Sequence, residues 1–378
     1  MTTAPATVGL TPFTIASRTQ TRYTDNQTVS NFVGATSFKP VPLTATGWVR
    51  MIRLYFSATF TTASAAAVVA GDAPWNLIAG VYLSDATGAP IMQPISGYNL
   101  YLVNKHFPTA CMKSDANSII HYNPHVGPDY AYSASGTSGS ANFYLDLDLE
   151  LDAATGYGCI ANLDSNAALQ LKVDVSIYTN AFTGTTPSAA TVSMRTSQYY
   201  WAPVGSTVNG RPAETTPAGA GAYIETRYET QPATASAENT LSTQSRGGMV
   251  QGAILISRAA GVRTAFTAGS NVGLVLDNVA VHEGIPLEEW YHTQRQMTGI
   301  IGATLTTSYA AITAAAGLDS GVVVFQHNQW SSYRDSYLST RAGSLVQYKV
   351  TPGASATQME MVTRLVQASD SSAFYARY

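Results

Sequence analysis

The sequence predicts an all-β protein built of two similar β-sandwiches in tandem. Three observations predict it. Stretches such as NFYLDLDLELD (Asn142 to Asp152) alternate apolar and polar residues, and a strand puts alternate side chains on opposite faces. Charged residues make up only 11 % of the chain, against about 25 % in ordinary soluble domains. The strand pattern of the first half returns in the second, roughly 195 residues further on.

The elements follow in order. Residues 1–37 are rich in Thr, Ser and Asn and lack a clear period, so they read as an arm with one short helix. FKPVPLTATG then brings prolines and a turn. GWVRMIRLYFSATF (Gly47 to Phe60) is rich in aromatic and branched residues and reads as a strand. Trp75 to Lys105 reads as strand, turn, then irregular chain leading to another strand, with Asp85 to Gly88 supplying the turn. A loop over about 113–140 precedes the acidic strand. In that strand Phe143, Leu145, Leu147, Leu149 and Leu151 form one face, and Asp146, Asp148, Glu150 and Asp152 the other. AALQLKVDVSIYTN (Ala167 to Asn180) alternates in the same way, and TVSMRTSQYYWAPV (Thr191 to Val204) closes the half. Residues 206–240 are dominated by Pro, Gly, Thr and Ala and read as a linker or surface excursion.

The pattern then starts again. RGGMVQGAILISR stands where GWVRMIRLYFSATF stood, and Asn271 to Met297 matches the Trp75 to Lys105 region. GVVVFQHNQW parallels the acidic strand, SLVQYKVTPG parallels ALQLKVDVS, and QMEMVTRLVQ parallels TVSMRTSQYYW. A repeat this long is no solenoid; two domains of about eight short strands suit a sandwich or jelly roll. The expected division is an arm (1–37), a first sandwich (38–205), a linker (206–240) and a second sandwich (241–378).

Composition narrows the function. Net charge is −3 with no basic run, so the clustered Lys and Arg of a nucleic-acid binder are missing. No basic segment followed by an apolar run marks a signal peptide, and no apolar stretch reaches the ~20 residues of a membrane span. Cys111 and Cys159 are too few for a disulfide framework and read as free thiols.

Candidate chemistry is sparse. The carboxylates of Asp146, Asp148, Glu150 and Asp152 lie about 7 Å apart per residue pair along one strand face. Calcium needs six to eight oxygens converging on a point, and glycosidase carboxylates flank a sugar from different elements. The reading is therefore a solvated or cross-strand-paired face, with Lys172 as a partner. His121 and His125 have an i, i+4 spacing, but Pro124 places them in a loop, and Cys111 is the only soft ligand near them. His292 lies near Glu288 and Glu289 with no nucleophile beside it. No nucleophile elbow or phosphate loop occurs; Ser135 to Gly139 reads as a flexible loop. Trp75, Trp201, Trp290 and Trp330 suit a core or a subunit interface, with a carbohydrate platform as the alternative. No catalytic, cofactor-binding or metal-binding residue is assigned, and no enzyme activity or cofactor is expected.

A resemblance adds to this. PVPLTATGWVRMIRLYFSATF, then GDAPWNLI (Gly71 to Ile78) and SGYNLYLVNK (Ser96 to Lys105), resemble the major capsid proteins of tailless icosahedral bacteriophages with an internal membrane, the tectivirus-like group. RAGSLVQYKV and MEMVTRLVQ resemble that family's closing strands. The resemblance implies a double jelly roll, three chains forming a homotrimer of pseudo-hexagonal outline, and a place in an icosahedral virion. It implies neighbouring capsid trimers and minor capsid or vertex (penton) proteins as partners, and no direct nucleic acid. The N-terminal arm would point inward toward the internal membrane, although no strong amphipathic helix is visible in it. Synthesis in a host bacterial cytoplasm is expected. The rival reading is a spike, decoration or carbohydrate-binding adhesion protein of two sandwiches, and a third is a jelly-roll glycosidase.

Overall fold

The computed structural model describes residues 10–61, 68–85, 87–88, 90–107, 129–131, 138–165, 168–183, 185–217, 223–246, 248–298, 320–327, 338–340 and 342–367. The first half contributes strands β1 (Thr19–Ser30), β2 (in two pieces, Thr36–Ser37 and Val41–Pro42), β3 (Gly47–Phe60), β4 (Ile78–Ser84), β5 (Pro90–Ile95), β6 (Gly139–Asp148), β7 (Gln170–Val175) and β8 (Ala190–Trp201). The second contributes β9 (Tyr223–Pro232), β10 (Asn239–Arg246), β11 (Gly248–Ala259), β12 (Asn271–Leu276), β13 (Val279–Pro286), β14 (Val322–Gln326), β15 (Ala342–Val350) and β16 (Gln358–Gln367). Helix α1 (Gly97–His106) follows β5, and α2 (Leu287–Thr298) follows β13.

The sheets run β1-β8-β3-β6 and β2-β7-β4-β5 in the first half, and β9-β16-β11-β14 and β10-β15-β12-β13 in the second. Adding eight to each strand of the first half reproduces the second. Every one of these pairings is antiparallel. Two facing four-stranded sheets with first and last strands side by side make a jelly roll, so the chain is a double jelly roll.

Alternation builds each core. Ile52, Leu54, Phe56 and Ala58 of β3 point inward beside Phe143, Leu145 and Leu147 of β6. They meet Leu171, Val173 and Val175 of the opposite sheet. In the second sandwich Ala253, Leu255, Val323, Phe325 and Met361 play that part. The hairpins use turn chemistry. Asp85 accepts from the Thr87 amide at 2.9 Å, and Gly88 takes a φ of 88°. Asp277 and Asn278 both take positive φ in the two-residue loop between β12 and β13, as such a hairpin requires.

Three expectations are corrected. Residues 19–30, expected in the arm, form β1, which pairs with β8 along its length. Within the expected linker, residues 223–232 form β9 on the edge of β16, and β10 begins at Asn239. Both are polar edge strands, so no apolar stripe advertises them. The signal was a repeated tripeptide: Thr-Arg-Tyr stands at 21–23 and again at 226–228.

The third correction is Ser96 to Lys105, expected to run into a strand and found to be α1. Ser96 caps it by accepting from the Asn99 amide at 3.2 Å, and Lys105 and His106 sit in its last turn. Every residue of α1 is buried. A helix covered on all sides loses its polar stripe, and the alternation of Tyr98, Leu100 and Leu102 then imitates a strand. The short helix expected in the arm is Phe13–Ala16. Its Phe13 is buried against the rings of Trp48 and Trp201.

Candidate functional site: the acidic strand and the seam between the sandwiches

The acidic strand is a ladder of ion pairs. Asp146 is fully buried and takes two bonds from Arg53 on β3, Nε to Oδ1 at 2.9 Å and Nη2 to Oδ2 at 3.0 Å. Burial alone would lower the Arg53 pKa, but Asp146 holds it above its ordinary value. Glu150, also fully buried, takes Nε and Nη2 of Arg50 at 2.7 and 2.5 Å on one oxygen. Its other oxygen accepts from Trp201 Nε1 at 2.6 Å and from Cys159 Sγ at 3.4 Å. The Arg50 guanidinium lies 4.4 Å from the Trp201 ring centre. Asp152 lies beyond the strand and caps a turn, accepting from the Ala154 amide and the Thr155 hydroxyl.

Asp146 and Glu150 thus face arginines of the neighbouring strand. Lys172, the expected partner, is in the opposite sheet and sits over the Tyr82 ring, 5.6 Å from its centre. Residue spacing gave the acidic face correctly and the partner wrongly, because adjacency in a jelly roll does not follow chain order. Trp75, Trp201 and Trp290 are buried, so they serve as core and not as a platform. His292 is exposed on α2, and Glu288 accepts from the Gly269 amide at 2.8 Å. Cys159 is a buried free thiol. Cys111, His121, His125 and Trp330 lie outside the described residues, as does most of the 135–139 loop. Among the described residues no group of three or more His, Cys, Asp or Glu could hold a metal, and no helix is long and apolar enough to cross a membrane.

The larger construction is the seam between sandwiches. In sheet β9-β16-β11-β14 the strands β16, β11 and β14 are buried on both faces. Its inner face meets its own partner sheet, while Ile254, Ile256, Val322, Val324 and Val362 join the core of the first sandwich and α1. Gly252 lets Phe107 approach; a Cβ there would collide with that ring and with the Phe325 carbonyl. Arg364, fully buried, donates from Nη1 to the Phe107 carbonyl at 2.7 Å, and Gln326 Nε2 donates to the carbonyl of His106. These bonds satisfy carbonyls at the end of α1 that have no partner within the helix.

At the other end Asp72, in the loop before β4, accepts from Arg258 Nη1 at 2.6 Å and from Arg263 Nε. Arg258 also pairs with Glu360 at 2.9 Å. Burial would lower the Arg258 pKa, and Asp72 and Glu360 together raise it instead. The Tyr98 ring lies under both guanidinium groups, 5.6 and 4.9 Å from its centre. Finally, edge strand β5 lies alongside edge strand β9.

This arrangement defines a class, a chain whose two jelly rolls are locked side by side. Solved structures share it. A structure of Sulfolobus turreted icosahedral virus matches with a TM-score of 0.56 and 13 % identity, over 93 % of this chain and 91 % of that one. The crystal structure of that virus's major capsid protein matches at 0.54 and 14 %, over 95 % and 98 %. The PBCV-1 virus capsid matches at 0.52 and 9 %, over 93 % of each chain. No family model matches the sequence, and no curated protein matches it. At such low identity the likeness establishes the double jelly-roll fold.

Proposed function

We propose that this chain is a major capsid protein, the structural subunit of an icosahedral virion. The observation that carries the reading is the double jelly roll itself, shared over nearly full length with the virus capsid structures above. The seam supports it: a buried all-round helix and a two-arginine clamp on Asp72 make one rigid block of two sandwiches. Rigid blocks suit a tile, since a closed shell needs subunits of fixed outline. On this reading three chains join as a trimer with six jelly rolls around the rim. Trimers then meet neighbouring trimers and vertex proteins, around an internal membrane. The protein is made in a host cytoplasm and ends in the virion. It has structural work to do and no catalysis. Imaging of the purified protein tests this: the reading expects particles of hexagonal outline, and slender or single-chain particles would overturn it.

A further inference from the structure

The two sandwiches of one chain can be aligned residue by residue, because both carry the same irregularity. The pairing of β3 with β8 skips Arg50, and the pairing of β11 with β16 skips Gln251. Setting Arg50 on Gln251 places Arg53 on Ile254, Tyr55 on Ile256 and Ser57 on Arg258. Through the strand registers, Arg195 then falls on Glu360 and Asp146 on Val324. The same step puts Tyr23 on Tyr228, completing the Thr-Arg-Tyr match.

The outer face of β9-β16-β11-β14 is covered by α1. Its counterpart, the outer face of β1-β8-β3-β6, is covered at its Trp48 and Trp201 end by the Phe13–Ala16 helix, while among the described residues its part around Ser57 and Arg195 is open. Tyr55, Ser57 and Ser193 there are half-buried, Asn26 and Arg195 are exposed, and the five line a cleft of about 350 Å³. Arg195 forms no ion pair among the described residues. In the second half α2 and β13 stand where α1 and β5 stand in the first, and among the described residues nothing covers Val279 or Val281 of β13. Val279 and Val281 of β13 are 67 % and 44 % exposed, and Tyr23 of β1 is 79 % exposed.

We infer that the outer face of β1-β8-β3-β6 receives α2 and β13 of a second copy of this chain, repeating between chains the seam that α1 and β5 make within one. This rests on the capsid-subunit reading and names the surfaces it uses. Within the chain, the first turn of α1 carries Tyr98 onto Arg258, beside Glu360. The equivalent landing point between chains is Ser57 and Arg195, the cleft itself. The first turn of α2 brings Glu288 and Glu289, and Glu289 is exposed. Glu289 of one copy therefore meets Arg195 of the next, with opposite charge. A second correspondence agrees. Where the chain pairs Arg258 with Asp72, the copy has Ser57, and the loop before β12 (Thr267 to Ser270) has no acid. Both members of that pair are missing together.

The seam within the chain is thus apolar and permanent, with Ile254, Ile256, Val322 and Val324 at its centre. The seam between chains is polar and charged, so its strength falls with salt.

The test is a charge swap read as native mass against concentration. Arg195→Glu and Glu289→Arg are each expected to weaken association at least tenfold, and the double variant to restore it. Both side chains are exposed and outside the cores, so the unfolding midpoint of the dissociated chain should stay at the wild-type value. An oligomer indifferent to both single changes overturns this face while leaving the oligomer standing. So does a double variant that stays dissociated. A wild-type protein that is monomeric overturns the capsid-subunit reading itself, and this inference with it.

Discussion

Arg364 of β16 donates a 2.7 Å hydrogen bond to the carbonyl of Phe107, the residue that closes α1. One partner belongs to the second sandwich and the other to the first, and Arg364 is fully buried. The bond ties the halves together at the point where their cores merge. Replacing Arg364 by Met keeps the packing volume but strands the carbonyl. A hydrogen bond to a charged group contributes about 1.5–3 kcal/mol, so denaturant unfolding should show a loss of about 2 kcal/mol.

Gly252 is the matching steric requirement. Any Cβ there collides with the Phe107 ring and the Phe325 carbonyl. The ring could move only by opening the seam, and the carbonyl belongs to the β11-β14 ladder. Gly252→Ala is expected to cost about 3 kcal/mol or more, as overpacking of a dense core does. Soluble yield and thermal unfolding check this. Gly34, with nothing near its Cβ position, is the control that should tolerate Ala.

The acidic ladder gives a third prediction. Asp146→Asn leaves Arg53 without its carboxylate. Removing one member of a buried pair costs about 3–5 kcal/mol; Arg53 keeps 29 % exposure, so water recovers part of it and about 2 kcal/mol is expected. Glu150→Gln should cost a similar amount. It should also shift the Trp201 emission, because Trp201 Nε1 loses an ionised acceptor at 2.6 Å.

His327 sets a pH dependence. Burial, reinforced by His282, lowers its pKa from 6.5 to about 3. Its Nε2 lies 3.3 Å from the Tyr348 hydroxyl, whose own ionisation burial pushes up. A histidine held neutral in the fold charges more readily once unfolded. Between pH 6.5 and about 3 the unfolded chain therefore binds more protons, and stability falls as the pH falls through that window. His327 is open to solvent at one edge, so the loss between pH 7 and 5 should be about 1 kcal/mol rather than the full linkage value. His327→Gln should flatten the slope.

The sequence carried much of this and missed specific parts for physical reasons. Strands β3, β4, β6, β7 and β8 and their second-half counterparts were legible because one face of each strand, or both, is buried and its apolar pattern shows. β1 and β9 were not, because an edge strand such as Thr19–Ser30 needs no apolar stripe. Helix α1 was hidden by its complete burial, which erased the helical period in GYNLYLVNKH. The acidic face of β6 was legible, but its partners Arg50 and Arg53 come from a strand about a hundred residues earlier in the chain, roughly the reach that sequence spacing does not encode. The seam itself, with Asp72 under Arg258 and Arg263, had no local signature at all.

A tile subunit of the proposed kind closes into trimers. Light scattering on a sizing column at moderate salt measures its native mass. A trimeric tile gives a compact species of three chains that survives dilution. A single-chain mass across the same concentrations would contradict it.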